Sequence, residues 1–359
     1  MPKLLFLLPL LLLLGGCAEL PYYAQSLGGH MDIQRKTRPI EDWLADPETD
    51  DQLAERLRLV QAMRRFAAER LALPVGDSYA DYADIGRPWV VKNLFAAPEF
   101  ELKLQTWCHP FAGCIAYRGY FDEAMLDDYA AGLREQGMDL HIANIAAYST
   151  LGWFDDPVLN TFVGWSEPGL AGLLFHELAH RRVYIDDDSA FNEAYATAVQ
   201  QAGVVAWLLE QGRDDLLERY RQRLHNRRQV MALIQAARDD LRRIYHSEDG
   251  DAAKRVRKQA RLEQLQQEYR RLAAGFAVSD GFARWMAGDL NNAKLLSVAT
   301  YHDATPGFLA LLDRLDGDFA AFHRAVARVG DLEPAERKAC LTSLAKGQTA
   351  DCPGLEVVP

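Results

Sequence analysis

The chain has 359 residues, of which 49% are hydrophobic, and this composition and length predict a folded protein of one or two domains. The 40 Lys and Arg residues face 51 Asp and Glu residues, and the resulting net charge of −11 argues against a nucleic-acid-binding protein, which needs a basic surface. The only apolar segment long enough to meet a bilayer lies at the extreme N-terminus, which excludes a protein with several membrane-spanning helices.

The N-terminal segment has the pattern of a secretory signal peptide. Lys3 supplies a positive charge, and Leu4 to Leu14 form a nearly unbroken apolar run that is too short to span a membrane. The run ends in Leu14-Gly15-Gly16-Cys17, which resembles the lipoprotein box of bacteria. That resemblance implies that residues 1–16 are removed and that Cys17 becomes a lipid-modified N-terminus.

The lipoprotein box also implies where the protein resides. Lipid on Cys17 would anchor the protein in the cell envelope, and Ala18 favours the outer membrane with the body facing the periplasm. We expect residues 17–50 to form the lipidated N-terminus and a short polar tether. The alternative is an ordinary secretory signal that happens to contain a cysteine.

A helix and a small sheet are predicted next in the chain. Residues 51–73 carry apolar side chains at helical spacing among charges. Alternating or β-branched stretches separated by turn signals predict strands at 88–95, 100–107 and 114–120, arranged as an antiparallel meander. Residues 121–136 predict a second helix, because acidic residues lie in the first turn and a glycine follows the end.

Four cysteines remain besides Cys17, and they allow three disulfide pairings. We favour Cys108–Cys114 and Cys340–Cys352, because each pair lies within a short, turn-rich stretch and an oxidising periplasm would form both bonds. The alternative is a metal site that uses the first pair, but its Cys-His-x4-Cys spacing matches no common zinc module.

The segment 170–180 carries the chemistry, because it contains the sequence His176-Glu177-Leu178-Ala179-His180. Histidines four residues apart lie on one side of a helix, so both imidazoles can bind one ion. Zn²⁺ suits such ligands and leaves a position open for water, whose proton Glu177 can accept. The alternative, two surface histidines, conflicts with the apolar residues that pack this helix.

A catalytic zinc needs a third protein ligand, and two carboxylates are candidates. Asp186 lies six residues after His180, but Val183 replaces the glycine that normally lets the chain turn back there. Glu193 is the better candidate, because it falls in the first turn of the next predicted helix and would face the two histidines. A more distant residue remains a third alternative.

The chain is predominantly helical after residue 168. A fourth strand candidate, 140–148, precedes this region, and residues 214–276 predict an antiparallel helical hairpin inserted into the body. Between Arg213 and Arg271 there are 16 Lys and Arg residues against 10 Asp and Glu residues. Such a face could touch anionic lipid or polymer, although a solvated surface is the simpler interpretation.

Three blocks of the sequence resemble the signature blocks of the predicted aminopeptidase family of bacterial lipoproteins. They are Tyr-Ser-Thr-Leu-Gly-Trp-Phe-Asp-Asp-Pro at 148–157, Phe-His-Glu-Leu-Ala-His at 175–180 and Phe-Asn-Glu-Ala-Tyr-Ala-Thr at 191–197. The resemblance runs from the lipoprotein box into the C-terminal third, so it covers most of the chain.

The family resemblance implies a zinc-dependent peptidase of the gluzincin type. His176, His180 and Glu193 would be the metal ligands, and Glu177 would be the general base. Arg181 departs from the wider zincin pattern, in which an uncharged residue usually follows the second histidine. No catalytic role depends on that position.

Several further residues are weaker candidates for parts of the site. An oxyanion donor is required, and the candidates are Tyr148, Tyr195, Tyr301 and His302. Residues 148–150 could form a strand edge along which a peptide pairs. Asp155 and Asp156 could orient a ligand imidazole, although they could equally cap a turn.

Together these patterns predict an α+β, predominantly α-helical protein. We expect one zincin-like metallopeptidase domain at residues 51–359, with a small antiparallel sheet, the inserted hairpin and one Zn²⁺ per chain. The expected function is an aminopeptidase that hydrolyses peptide or protein substrates with a zinc-activated water and Glu177 as base. The alternatives are a lipid-anchored zinc endopeptidase of the cell envelope and a non-catalytic zincin-fold scaffold, against which the intact Glu177 argues.

Overall fold

The computed structural model describes residues 19–109, 113–147, 155–186, 188–298, 304–348 and 352–353. Its helices are α1 (Leu20–Lys36), α2 (Ile40–Ala45), α3 (Asp51–Glu69), α4 (Glu123–Glu135), α5 (Glu167–His180), α6 (Ser189–Glu210), α7 (Asp214–Tyr245), α8 (Asp251–Ala273), α9 (Ala283–Ala287), α10 (Asn292–Ser297), α11 (Thr305–Arg314), α12 (Phe319–Gly330) and α13 (Pro334–Ala345). Its strands are β1 (Arg38–Pro39), β2 (Asp81–Ala83), β3 (Val91–Ala97), β4 (Trp107–His109), β5 (Gly113–Ile115), β6 (Arg118–Tyr120), β7 (Asp139–Ile145) and β8 (Val158–Leu159).

The described residues are mainly helical with small sheets, which confirms the predicted predominantly helical α+β class. Among the described helices, none combines the length and hydropathy needed to cross a bilayer. The signal segment with Cys17, the edge candidate 148–150, Tyr301 and His302 lie outside the described residues.

The predicted polar tether is wrong for most of its length, because residues 20–36 and 40–45 form α1 and α2. Pro21 lies in the first turn of α1, where a missing backbone N–H breaks no helical hydrogen bond. Tyr22 and Ile33 are buried against the body, so tertiary packing stabilises the helix. The sequence therefore predicts a polar tether where packing produces a helix.

The strands form three small sheets in the described residues. In the sheet called here the central sheet, β3 lies between β6 and β7 and pairs antiparallel with both. A second sheet has the order β1-β2-β8, and β4 and β5 form a separate hairpin. The predicted consecutive meander is therefore wrong, since β3 is central and the segment 114–120 is divided between β5 and β6.

The predicted strand at 100–107 is also wrong, apart from its last residue in β4. Three apolar side chains of this segment pack into apolar clusters with the helices α7 and α8 and with β3: Phe100, Leu102 and Leu104. Alternating burial thus arises without a strand partner along this segment. The backbone is tied instead by single contacts, such as the Gln105 N–H that donates to the Ala96 carbonyl at 2.8 Å.

The largest apolar core surrounds α5 and α6. It includes buried residues of α3, α5, α6, α11, α12 and α13, among them Leu57, Leu170, Phe175, Tyr195, Phe308 and Phe322. A smaller cluster packs α4 onto the central sheet through Leu126, Ala130 and Leu94. The site motif therefore lies on helices that are fixed from several sides.

The predicted hairpin is present as α7 and α8, and it has an apolar cluster of its own. Val230, Ile234 and Leu241 of α7 pack with Leu262 and Leu265 of α8. The hairpin is tied to the central sheet where the largely buried Lys258 Nζ donates to Asp139 Oδ2 at 2.6 Å. A buried pair of this kind makes the attachment specific in position.

Two disulfide bonds link Cys108 with Cys114 and Cys340 with Cys352. The first joins β4 to β5, directly opposite each other in the hairpin register. The second ties the segment after α13 back onto that helix. Because both cysteines of the first pair are oxidised to a disulfide, the alternative metal site at Cys108, His109 and Cys114 is excluded.

Two glycines give a test of how tightly the C-terminal helices pack. A Cβ on Gly307 of α11 would overlap the backbone of Leu341 in α13, whereas a Cβ on Gly132 of α4 would meet open space. We expect Gly307→Ala to lower the free energy of unfolding by about 1–3 kcal/mol through overpacking. Gly132→Ala should raise it by up to about 1 kcal/mol, because alanine is the better helix former.

The measurement is denaturant unfolding of both variants beside the parent protein. Equal effects of the two alanines would contradict the close helix contact at Gly307.

Candidate metal centre

The His-Glu-x-x-His segment forms the C-terminal end of α5, a helix that is buried along most of its length. Pro168 lies in its first turn, and four apolar residues pack it into the core: Leu170, Leu174, Phe175 and Leu178. The Trp207 indole N–H of α6 donates to Glu167 Oε1 at 2.9 Å. This contact fixes the start of α5 against α6.

The turn between α5 and α6 brings the two helices into register at the site. The Asn192 side chain accepts from the Ile185 N–H at 2.8 Å and donates to the Ile185 carbonyl at 2.7 Å. Asp188 accepts from the Phe191 N–H at 3.0 Å and pairs with Arg337 at 2.5 Å. The capped first turn of α6 therefore faces the last turn of α5.

Three side chains meet at this point. His176 Nε2 lies 3.2 Å from Glu193 Oε2, and His180 Nε2 lies 3.6 Å from Glu193 Oε1. The two Nε2 atoms are 3.3 Å apart. Each of the three residues thus offers one donor atom, and these atoms lie within 4.8 Å of one another. The structure brings together the three residues that the sequence nominated as ligands.

The donor set fits a zinc ion. Zn²⁺ accepts histidine nitrogen and carboxylate oxygen, whereas Ca²⁺ and Mg²⁺ prefer oxygen ligands. The Nε2 atoms of His176 and His180 are the ones that converge, and Gln200 hydrogen-bonds to the His176 imidazole. A cation between the two Nε2 atoms and the carboxylate would satisfy all three, and three protein ligands leave room for a fourth.

Burial and neighbouring charges shift the pKa values of the two imidazoles in opposite directions. Burial lowers the pKa of His180 to about 4, with the charge of His176 adding to the effect. Burial also lowers the pKa of His176, but the hydrogen bond to Glu193 and the charge of Glu177 outweigh it and leave this pKa raised. His180 is therefore neutral at pH 7, the form in which an imidazole binds a metal.

The charge of Glu177 acts on two tyrosines, Tyr117 and Tyr79. Burial raises the pKa of the Tyr117 hydroxyl, and the charges of Glu193 and Glu177 add to it. Burial, followed by the charges of Glu177 and Asp156, raises the pKa of Tyr79. Sequence reasoning missed Tyr117, which lies between β5 and β6 in a stretch without any motif.

A comparison with family models shows which family the chain belongs to. A family model described as "Putative aminopeptidase" matches residues 21–341. The chain belongs to this family. This match confirms the aminopeptidase part of the sequence resemblance. Searches of curated proteins and of solved structures gave no match.

Other predicted residues of this aminopeptidase-family protein are not among the converging donor groups. Asp186 is exposed and is not among the three converging side chains. Asp155 pairs with Arg181 at 3.2 Å, and the Asp156 carbonyl accepts from the Tyr79 N–H at 2.8 Å. Neither Asp155 nor Asp156 is among the groups that act on either imidazole in the described residues, which argues against the expectation that they orient one.

Tyr195 is not placed as an oxyanion donor. Its hydroxyl is buried in the core and lies 2.8 Å from His323 Nδ1. His323 Nε2 lies 2.8 Å from the Leu71 carbonyl, so it donates there, and Nδ1 accepts from Tyr195. This pair satisfies two buried polar side chains and joins α6 to α12.

The His323 contacts predict a pH-dependent stability. Burial lowers the pKa of His323 to about 4, whereas an unfolded histidine titrates near pH 6.5. Between these values the unfolded chain binds the extra proton, so stability falls as the pH falls from about 6.5 to 4. His323→Gln should flatten this dependence by up to about 1.4 kcal/mol per pH unit.

The check is urea unfolding of parent and variant at several pH values across this range. Parallel curves for the two proteins would show that His323 does not titrate on unfolding.

Proposed function

We propose that the protein is a zinc-dependent aminopeptidase. The observation that carries this proposal is the convergence of His176, His180 and Glu193 on one point from two adjacent helices. The family description supplies the activity, and the donor chemistry supplies the metal. Membership of the family alone leaves the metal open, so the zinc dependence rests on the geometry.

His176, His180 and Glu193 would hold the ion. When bound, Zn²⁺ polarises a substrate carbonyl and makes a water molecule more acidic. Glu177 follows the first ligand directly, so it stays at the edge of the site and can take a proton from the attacking water. As the water oxygen bonds to the carbonyl carbon and the C–N bond breaks, Glu177 can pass that proton to the departing amine.

We propose a lipid-anchored location in the cell envelope, facing the periplasm from the outer membrane. The lipoprotein box at Cys17 suggests the anchor, and the two disulfide bonds suit an oxidising compartment. The partners would be peptide or protein substrates and, through the anchor, the membrane. A net charge of −11 gives no reason to add a nucleic acid.

Glu177→Gln tests the catalytic base. The amide is nearly the same size but cannot accept the proton, so we expect zinc content to stay near one ion per chain while kcat falls about 10³-fold. Metal analysis and peptide hydrolysis measure the two quantities on the same sample. Full turnover by the zinc-loaded variant would remove Glu177 from the mechanism.

Substitution of the two carboxylates tests the third ligand. Glu193→Ala should weaken zinc binding by more than about 100-fold, beyond the usual effect of removing a residue that only hydrogen-bonds to a ligand. Asp186→Ala is the matched control and should leave the affinity unchanged, because Asp186 is exposed and is not among the converging donor groups. Competition with a zinc-binding dye gives both constants, and the reverse order would assign the position to Asp186.

A digest of free and N-acetylated peptides separates exopeptidase from endopeptidase activity. An aminopeptidase recognises a free ammonium group, so acetylation of the same peptides should abolish cleavage, with products identified by mass spectrometry. Unchanged cleavage of acetylated peptides would favour the zinc endopeptidase. Absence of cleavage in both sets by zinc-loaded protein would favour the scaffold.

A further inference from the structure

The outward face of α1 carries a stripe of exposed apolar side chains. Eight large hydrophobic residues are exposed among the described residues, and four of them lie on this one helix: Leu20, Tyr23, Leu27 and Met31. Their spacing of three, four and four residues places them on a single face. Their exposed fractions range from 39% to 66%, whereas scattered single exposures are ordinary.

The stripe, defined as these four residues, contains no formal charge within its length, and Glu19 and Asp32 flank it. No Lys, Arg, Asp or Glu occurs from Leu20 to Met31, and the exposed cationic side chains begin only at Arg35. Twelve residues of helix measure about 18 Å, so the uncharged face is long enough to lie along a surface. A solvated helix face of this length normally carries charges.

The opposite face of α1 fixes the direction of the stripe. Gln25 Oε1 accepts from the Phe121 N–H at 2.7 Å, and Gly29 packs so closely on Phe121 that a Cβ would overlap the ring. Arg118 pairs with Glu19 at 2.7 Å at the start of the helix. These contacts hold α1 to the body and leave Leu20, Leu27 and Met31 facing outward, while Tyr23 is partly exposed and its hydroxyl lies 3.2 Å from His109 Nδ1.

We propose that α1 lies along the membrane surface, with the stripe inserted into the interfacial region of the bilayer. This proposal rests on the proposed lipid anchor, because Cys17 precedes Leu20 by three residues. Three residues span at most about 11 Å, so a lipid on Cys17 would hold the start of the stripe at the headgroups. The lipid alone leaves the body free to rotate, whereas a second attachment through the stripe would add to the membrane affinity and fix the orientation.

Quenching by brominated lipid tests the proposal on the lipidated full-length mature protein bound to vesicles of phosphatidylethanolamine and phosphatidylglycerol. Leu27→Trp places a reporter in the stripe, and Leu209→Trp is the control at an isolated exposed leucine of similar exposure. We expect brominated lipid to quench the added emission at position 27 at least several-fold more than at position 209. Equal quenching at both positions would overturn the proposal.

Partition of the lipid-free mature chain, with Cys17→Ala, gives a test independent of the anchor. The pair Leu27→Glu and Met31→Glu should lower binding to the same vesicles by about tenfold or more, and Leu209→Glu with Val256→Glu should leave it unchanged. Unfolding midpoints and peptide hydrolysis in solution should match the parent for both pairs. If the stripe variant instead loses a dimer seen by light scattering, with unchanged vesicle binding, the stripe joins two copies and the membrane proposal is wrong.

Discussion

The turn that joins α5 to α6 is the constraint on which the candidate site depends. His176 and His180 are placed by the helix itself, but Glu193 reaches them only because the chain reverses within a few residues. Asn192 satisfies both backbone groups of Ile185, and Asp188 caps the next helix. Arg337 of α13 pairs with Asp188, so the C-terminal helices support the turn directly.

Sequence patterns could predict the site better than the fold around it. The histidine spacing fixes a helical face, and the polar turn before Glu193 marks a helix start, so both signals are local. The choice between Glu193 and Asp186 as the carboxylate beside the histidines depends on the path of the turn, which no local pattern shows. Tyr117 could not be predicted, because it lies in a segment without a motif and only the tertiary fold brings it within reach of the charges of Glu193 and Glu177.

The incorrect predictions of the fold also arise because tertiary packing is not visible in local patterns. Phe100, Leu102 and Leu104 alternate as in a strand, but the alternation comes from packing against separate clusters, with no ladder beside it. The segment around Pro21 is predicted as a tether because its apolar residues show no single apolar face. In the structure some of them are buried and others are exposed. Tertiary contacts of Tyr22 and Ile33 outweigh weak local propensity there.

The structured N-terminus changes what a lipid anchor can do for this protein. On a flexible tether the lipid would supply affinity but leave the body free to rotate at the membrane. Because Gln25 and Gly29 hold α1 to the segment at Phe121, a bilayer that accepts Leu27 and Met31 also restrains the body. The lipid would then supply affinity and the helix orientation, and the candidate site would keep a defined direction relative to the membrane.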